Sequence, residues 1–253
     1  MLGSLNRLSG RLARSRDVRR AAGAHSGPDH PEYRAYVGPP ADYDLLGGLQ
    51  FSILFLAGLR EEHRILDVGC GSLRAGRLLI PYLQPGNYYG VEPRADLVQD
   101  GIESELGGDI VRVKRPVFST NDRFAFAEFG VRFDYVLAQS ILSHTYPDLA
   151  QVALAGMADA LADDGLLVAT FVEGEPTPGS GWRYPETVRF HWESVRELAE
   201  EANLAVRRLN WPHPRQVWFA AAREDSLVER AVLRVAAPAK QPRLTGGRLR
   251  RGS

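Results

Sequence analysis

The sequence predicts an α/β fold built on a doubly wound, mainly parallel sheet, with helices on both faces and an antiparallel final strand. Three observations carry this. Strand and helix patterns alternate from residue 43 to residue 222, which implies parallel strands joined by covering helices. The apolar run Ile65-Leu66-Asp67-Val68 passes directly into Gly69-Cys70-Gly71 and then into a helical pattern. The last two strand patterns, 204–209 and 216–222, have no helix between them and must pair antiparallel at one edge.

The elements follow in order. Residues 43–59 carry a helical apolar pattern that ends near Gly58, and residues 64–68 read as a strand. A helix is expected over 73–83, closed by Pro85-Gly86. Residues 88–92 are a strand ending in an acid, 95–106 a helix, and 110–113 a short strand on the strength of Ile110, Val111 and Val113. The apolar run 133–138 is a strand, 149–161 a helix and 165–172 a strand. Residues 191–202 form a helix, and Asn210-Trp211-Pro212-His213-Pro214 joins the two closing strands. Domain organisation follows: 1–30 a basic extension, 31–223 the folded domain, and 224–253 a short helix (226–235) running into a basic disordered tail.

A chain of 253 residues suits one such domain with extensions. The single cysteine, Cys70, excludes an intramolecular disulfide and fits a reducing, cytoplasmic setting. Formal charge balances overall, yet residues 1–20 carry +5 and residues 240–251 another +5, which leaves the middle at −10. Only Lys114 and Lys240 are lysines among 31 basic residues, a bias of GC-rich coding. No run approaches the ~18 apolar residues of a membrane span. Leu2, Leu5, Leu8 and Leu12 among the arginines read either as a basic amphipathic helix, in weak peripheral contact with an anionic membrane surface or nucleic acid, or as a solvated tail.

In a doubly wound sheet, ligands sit at the carboxyl ends of the strands where strand order reverses. Gly69 and Gly71 let the backbone turn sharply and approach a ligand there. Glu92 falls 21 residues after Gly71, at the end of the next strand, where a carboxylate accepts both hydroxyls of a ribose. A dinucleotide would need glycine at the sixth position from Gly69, which is Arg74. Asp67, two residues before the first glycine, disfavours a pyrophosphate and favours a ligand with a cationic end.

These residues resemble the class I S-adenosylmethionine-dependent methyltransferases, a Rossmann-like family. Asp67, Gly69 and Gly71 match its first motif, with Leu73 in place of the third glycine. Glu92 in Gly90-Val91-Glu92-Pro93 matches the second. Asn121-Asp122 stands where the family often contacts the adenine amino group. Phe133-Asp134-Tyr135-Val136-Leu137-Ala138-Gln139 resembles its fourth strand, and Asp163-Asp164-Gly165-Leu166-Leu167-Val168 its fifth. Tyr36-Val37-Gly38-Pro39-Pro40, Gly71-Ser72-Leu73-Arg74-Ala75-Gly76-Arg77, Gln139-Ser140-Ile141-Leu142-Ser143-His144 and Trp211-Pro212-His213-Pro214 are similar to a bacterial small-molecule subgroup. The resemblance implies S-adenosyl-L-methionine as cofactor, with Asp67, Gly69, Gly71, Glu92, Pro93 and Asp122 around it.

In-line methyl transfer is served by positioning and exclusion of water and needs no metal; His144, His191 and His213 are scattered singly, without metal-ligand spacing. A hydroxyl acceptor must lose its proton. His144, six residues after the fourth strand, is a candidate general base, with packing and a backbone hydrogen bond as the other reading. Arg74 is a candidate partner of the methionine carboxylate, or a surface arginine, and Gln139 a candidate to line the methionine moiety. Trp182, Tyr184 and Trp211 are candidates for the acceptor pocket, and Tyr36 and Tyr43 for a lid over the cofactor. The expected activity is methyl transfer to a small molecule, at a hydroxyl of a sugar, lipid or secondary metabolite. Two alternatives stand beside it. One is a nucleic-acid methyltransferase, disfavoured by Ala-Gln-Ser-Ile where an Asn-Pro-Pro-Tyr type signature belongs and by an acidic core. The other is a non-catalytic cofactor-binding protein that keeps the fold. The oligomeric state is left open.

Overall fold

A computed structural model describes residues 33–236; the basic extension 1–30 and the tail beyond 236 lie outside the described residues. Two helices, α1 (Tyr33–Tyr36) and α2 (Tyr43–Ala57), precede β1 (Ile65–Val68). Then come α3 (Gly76–Tyr82), β2 (Tyr88–Val91), α4 (Ala95–Gly101) extended by a π-turn (Ile102–Leu106), α5 (Gly108–Lys114), β3 (Val117–Ser119) and β4 (Phe133–Ala138). The chain closes with α6 (Pro147–Ala160), β5 (Leu161–Glu173), β6 (Arg189–Phe190), α7 (Trp192–Glu201), β7 (Ala205–Leu209), β8 (Val217–Ala222) and α8 (Asp225–Ala236).

The sheet runs β3-β2-β1-β4-β5-β8-β7, with β6 paired to β5. Strands β1 to β5 are mutually parallel where they pair, whereas β8 runs antiparallel to both β5 and β7. Strand order reverses between β1 and β4, so the crevice for a ligand opens at their carboxyl ends. Val217 pairs with Phe171 late in β5, so reversal of β8 brings the β7–β8 loop to that same edge.

All four residues of β1 are buried, as expected of a central strand covered on both faces. Side chains alternate across the sheet: Leu66, Val68, Val136 and Ala138 join α6 and α7 in one core, while Ile65, Tyr135, Leu137 and Val168 join α2, α3 and α8 in the other. Val228, Ala231 and Val235 bury α8 in this second core, so the helix expected after residue 223 packs on the sheet.

Two expectations need correction. Residues 110–113 are not a strand but lie within helix α5, and the third strand is Val117–Ser119. Asp109 in the first turn and Arg112 and Lys114 in the last suit a helix dipole. Val113 is 54% exposed, so its β-branched side chain reports no buried strand. The helix expected from residue 73 begins at Gly76, because Leu73 adopts a left-handed conformation at φ 62°.

Candidate active site

The glycine turn is tied to the neighbouring strand by its own amides. Gly69 N and Cys70 N both donate to Val91 O, at 2.8 and 3.0 Å. Gly69 and Gly71 sit at φ 69° and 53°, where an L side chain is strained. Space forbids one as well: a Cβ on Gly69 would lie 2.4 Å from Ile141 Cδ1, and one on Gly71 2.4 Å from Val37 Cγ1. Val37 and Ile141 stand in two of the subgroup-like motifs, but nothing in the sequence singles them out as the residues packed against the turn.

Leu73 fills the place of the third glycine with a fully buried side chain. Room for it comes from glycines elsewhere. A Cβ on Gly76 would meet Leu73 Cδ2 at 3.0 Å, and one on Gly101 would meet Leu73 Cγ at 3.0 Å and Ser72 O at 2.5 Å. The close packing beneath the turn is kept, with the small residues moved to α3 and α4.

Two acids stand at the edge of the crevice. Glu92 Oε2 accepts from Gly71 N at 3.1 Å and Oε1 from Arg94 N at 3.0 Å. Burial raises its pKa, and those two backbone donors pull it back. Its carboxylate is thereby fixed beside the turn with lone pairs to spare. Asp67 is 3% exposed and accepts from Tyr88 Oη at 2.8 Å. Burial pushes it up to about 6 against the pull of Tyr88 and Arg74. Pro93 follows Glu92 on the surface, and Asp122 is exposed in the loop after β3, 3.9 Å from Arg123 Nε.

Arg74 is buried, not a surface residue, being 6% exposed. Its Nε donates to Gln50 Oε1 at 3.1 Å, one terminal nitrogen to Val37 O at 2.6 Å, and the other to Gln139 Oε1. Burial lowers its pKa to about 10, so it stays charged at neutral pH. Gln139 Nε2 donates to Ser140 Oγ at 2.6 Å and lies 3.3 Å from His213 Nε2. Gln50, inside a helix, gave no sequence signal, and His213, named only within the Trp211-Pro212-His213-Pro214 motif, lies 74 residues from Gln139.

Aromatic residues form a row beyond β4. The His144 ring stands 4.9 Å from Tyr184, whose ring is 5.4 Å from Tyr36. Tyr184 Oη donates to Tyr36 O at 2.7 Å. His144 Nδ1 meets Glu186 O at 2.9 Å and Arg183 O at 3.4 Å. Carbonyls only accept, so Nδ1 carries the proton and Nε2 keeps its lone pair. Burial lowers the His144 pKa, which keeps the ring neutral. Trp182, 48% exposed, stacks on Phe124 at 5.7 Å.

Two aromatic candidates lie elsewhere. Tyr43 is 1% exposed; its hydroxyl donates to Ser72 O at 2.8 Å and its ring packs under Arg34 and Arg77. It braces the turn from α2 and is no surface lid, because the helix it opens turns it inward. Trp211 donates its indole N–H to Leu49 O at 3.0 Å and packs against the second core. Among the described residues no group of three or more His, Cys, Asp or Glu is placed to hold a metal, and no helix is long and apolar enough to cross a membrane.

Residues 66–167 match a family model described as a methyltransferase domain. No curated protein matches the chain. Solved structures do. Magnesium protoporphyrin IX methyltransferase from Synechocystis PCC 6803, with bound S-adenosylmethionine, superposes at a TM-score of 0.54 with 15% identity, over 83% of this chain and 91% of that one. DesVI from Streptomyces venezuelae gives 0.55 and 18%, over 78% and 100%. The glycopeptide N-methyltransferase MtfA, with S-adenosylhomocysteine, gives 0.51 and 13%, over 68% and 87%. Residues 66–167, which hold the glycine turn and both acids, thus carry a methyltransferase domain, and the sheet order with the solved structures places the chain in the fold of the S-adenosylmethionine-dependent methyltransferases.

Proposed function

We propose that the enzyme methylates a hydroxyl of a small molecule, in the class of sugars, lipids and secondary metabolites, with His144 as general base. The observation that carries this reading is the fixed tautomer of His144: its Nδ1 is occupied by Glu186 O, which leaves Nε2 as a proton acceptor beside Tyr184. An N-methyltransferase acting on a neutral amine needs no such acceptor before attack.

The residues present fit the cofactor. Gly69 and Gly71 hold the positive-φ turn that lets the backbone approach a ligand, with Ile141 and Val37 packed against it, and Glu92 has lone pairs for a ribose diol. Asp67 supplies negative charge near the cationic end. When bound, S-adenosylmethionine supplies an activated methyl on a sulfonium. The chain's own residues do the rest. Glu92 and the turn orient the nucleoside, with Pro93 and Asp122 at its rim. Val37, Ile141 and the pair Tyr36–Tyr184 exclude water. His144 takes the acceptor's proton at Nε2, and Trp182 with Tyr184 offers apolar faces to the acceptor.

Replacing His144 by Ala or Gln tests this. Turnover of a hydroxyl acceptor should fall by about 10²- to 10⁴-fold, with S-adenosylhomocysteine affinity measured by calorimetry unchanged. Unchanged turnover would remove His144 from the chemistry.

A further inference from the structure

The hydrogen bonds around Gln139 contain a conflict that a ligand anion resolves. Arg74 only donates, so its bond to Gln139 Oε1 fixes the amide and turns Gln139 Nε2 toward His213. His213 is fixed equally firmly. Its Nδ1 lies 3.1 Å from Arg215 N and 2.9 Å from Gln216 N, and both backbone amides donate to it. The ring proton of neutral His213 therefore sits on Nε2, the atom 3.3 Å from Gln139 Nε2. Two donors face each other with no acceptor between them. Burial and the charges of Arg74 and Arg215 push the His213 pKa down to about 4, so the ring stays neutral and this arrangement persists at neutral pH.

Arg74 adds a second, independent sign. Its three partners, Gln50 Oε1, Val37 O and Gln139 Oε1, are all uncharged oxygens. No Asp or Glu forms an ion pair with it within 4.0 Å among the described residues, although it is 94% buried. A guanidinium has five N–H groups, so two remain after these bonds. Asp67 and Asp42 act on it only through space, burial outweighs them, and a buried cation so weakly balanced is costly. A carboxylate would accept from Arg74, Gln139 and His213 together.

We infer that His213 is a positioning residue for the cofactor: the β7–β8 loop delivers its Nε2–H, with Arg74 and Gln139, to the methionine carboxylate of S-adenosylmethionine. This rests on the cofactor reading of the site and adds the loop residue to it. The loop then holds the amino-acid end of the cofactor while the glycine turn and Glu92 hold the nucleoside.

Calorimetry with S-adenosylmethionine and with decarboxylated S-adenosylmethionine separates the possibilities, using the full chain and a His213→Ala variant. His213→Ala should lower affinity for S-adenosylmethionine about tenfold, the worth of one hydrogen bond to a charged group. Its affinity for the decarboxylated ligand should change by less than about twofold on the same grounds. An equal loss for both ligands, or no loss for S-adenosylmethionine, would overturn the inference while leaving the cofactor assignment intact. Binding of neither ligand by the unsubstituted protein would overturn both. Should His213→Ala fail to fold, the unsubstituted protein still decides. The His213 Nε2–H proton resonance should move downfield with S-adenosylmethionine and stay in place with the decarboxylated ligand; an identical response to the two would overturn the inference.

Discussion

Leu73 offers an unusual stability test, because glycine there should outperform alanine. The side chain is fully buried and the backbone sits at φ 62°. Truncating a buried leucine to alanine costs about 2.7–5 kcal/mol, and glycine forfeits the same packing. The left-handed conformation costs an L residue about 1–2 kcal/mol that glycine avoids. Against this, glycine's freer unfolded chain costs about 0.4–1 kcal/mol. The balance makes Leu73→Gly more stable than Leu73→Ala by about 0.5–1 kcal/mol, with both well below the unsubstituted protein. Leu79, also fully buried but inside helix α3, is the matched control. There Leu79→Gly should be about 1 kcal/mol less stable than Leu79→Ala. Urea unfolding of the four variants, with m-values compared to verify two-state behaviour, reads these differences directly. An alanine variant as stable as the glycine variant at position 73 would refute the claim that this residue holds a strained turn.

Further outcomes follow from the same geometry. Asp67 is held near 6 in the fold against an ordinary 3.8, so its contribution to stability is full below about pH 4 and is lost as pH rises through 6. The loss is on the order of 3 kcal/mol; Asp67→Asn should remove that slope from urea-derived stability measured between pH 4 and 7, and parallel curves would contradict it. Glu92→Gln should weaken S-adenosylhomocysteine binding by about 1.5–3 kcal/mol in calorimetry, with little change in the melting curve. Gly71→Ala should abolish measurable cofactor binding, since the new Cβ would lie 2.4 Å from Val37 Cγ1 at a strained φ of 53°; tight binding would show that Val37 yields. Trp211→Phe should lower stability by about 1 kcal/mol through the bond lost to Leu49 O without altering an acceptor's KM, and a raised KM would instead bring Trp211 to the acceptor.

The parallel core was legible because its signals are local. Apolar runs at 65–68, 88–91 and 133–138 end in glycine or polar residues, and the near-continuous burial of β1 and β4 is what central strands covered on both faces require. Asp67 and Glu92 stand out because acids rarely end buried strands. Residues 110–113 misled for the opposite reason: three β-branched residues outweighed Gly107, Asp109 and Lys114, the helix signals around them. Sequence distance hid most of the remainder. Nothing near Tyr43 announces that its hydroxyl braces Ser72 O, 29 residues on. Arg74 read as either surface or site, and only the packing of α2 and the Val37 carbonyl around it decides for burial. Leu73 needed Gly76 and Gly101 to be understood, and neither belongs to the motif it departs from.

The reversal of β8 gives this fold a degree of evolutionary freedom that its parallel strands lack. Every loop leaving β1, β2 or β4 must thread into a helix that seals the sheet, so changing its length disturbs the core. The connection between β7 and β8 returns directly to its neighbour at the sheet edge, and only Trp211 and Pro212 tie it to the core, while the rest opens onto the crevice. Exchanges at His213, Pro214 and Arg215, with Trp211 and Pro212 kept as anchors, can therefore retune what the enzyme holds while the scaffold keeps its register, and a library confined to those three positions is the economical starting point for redesign.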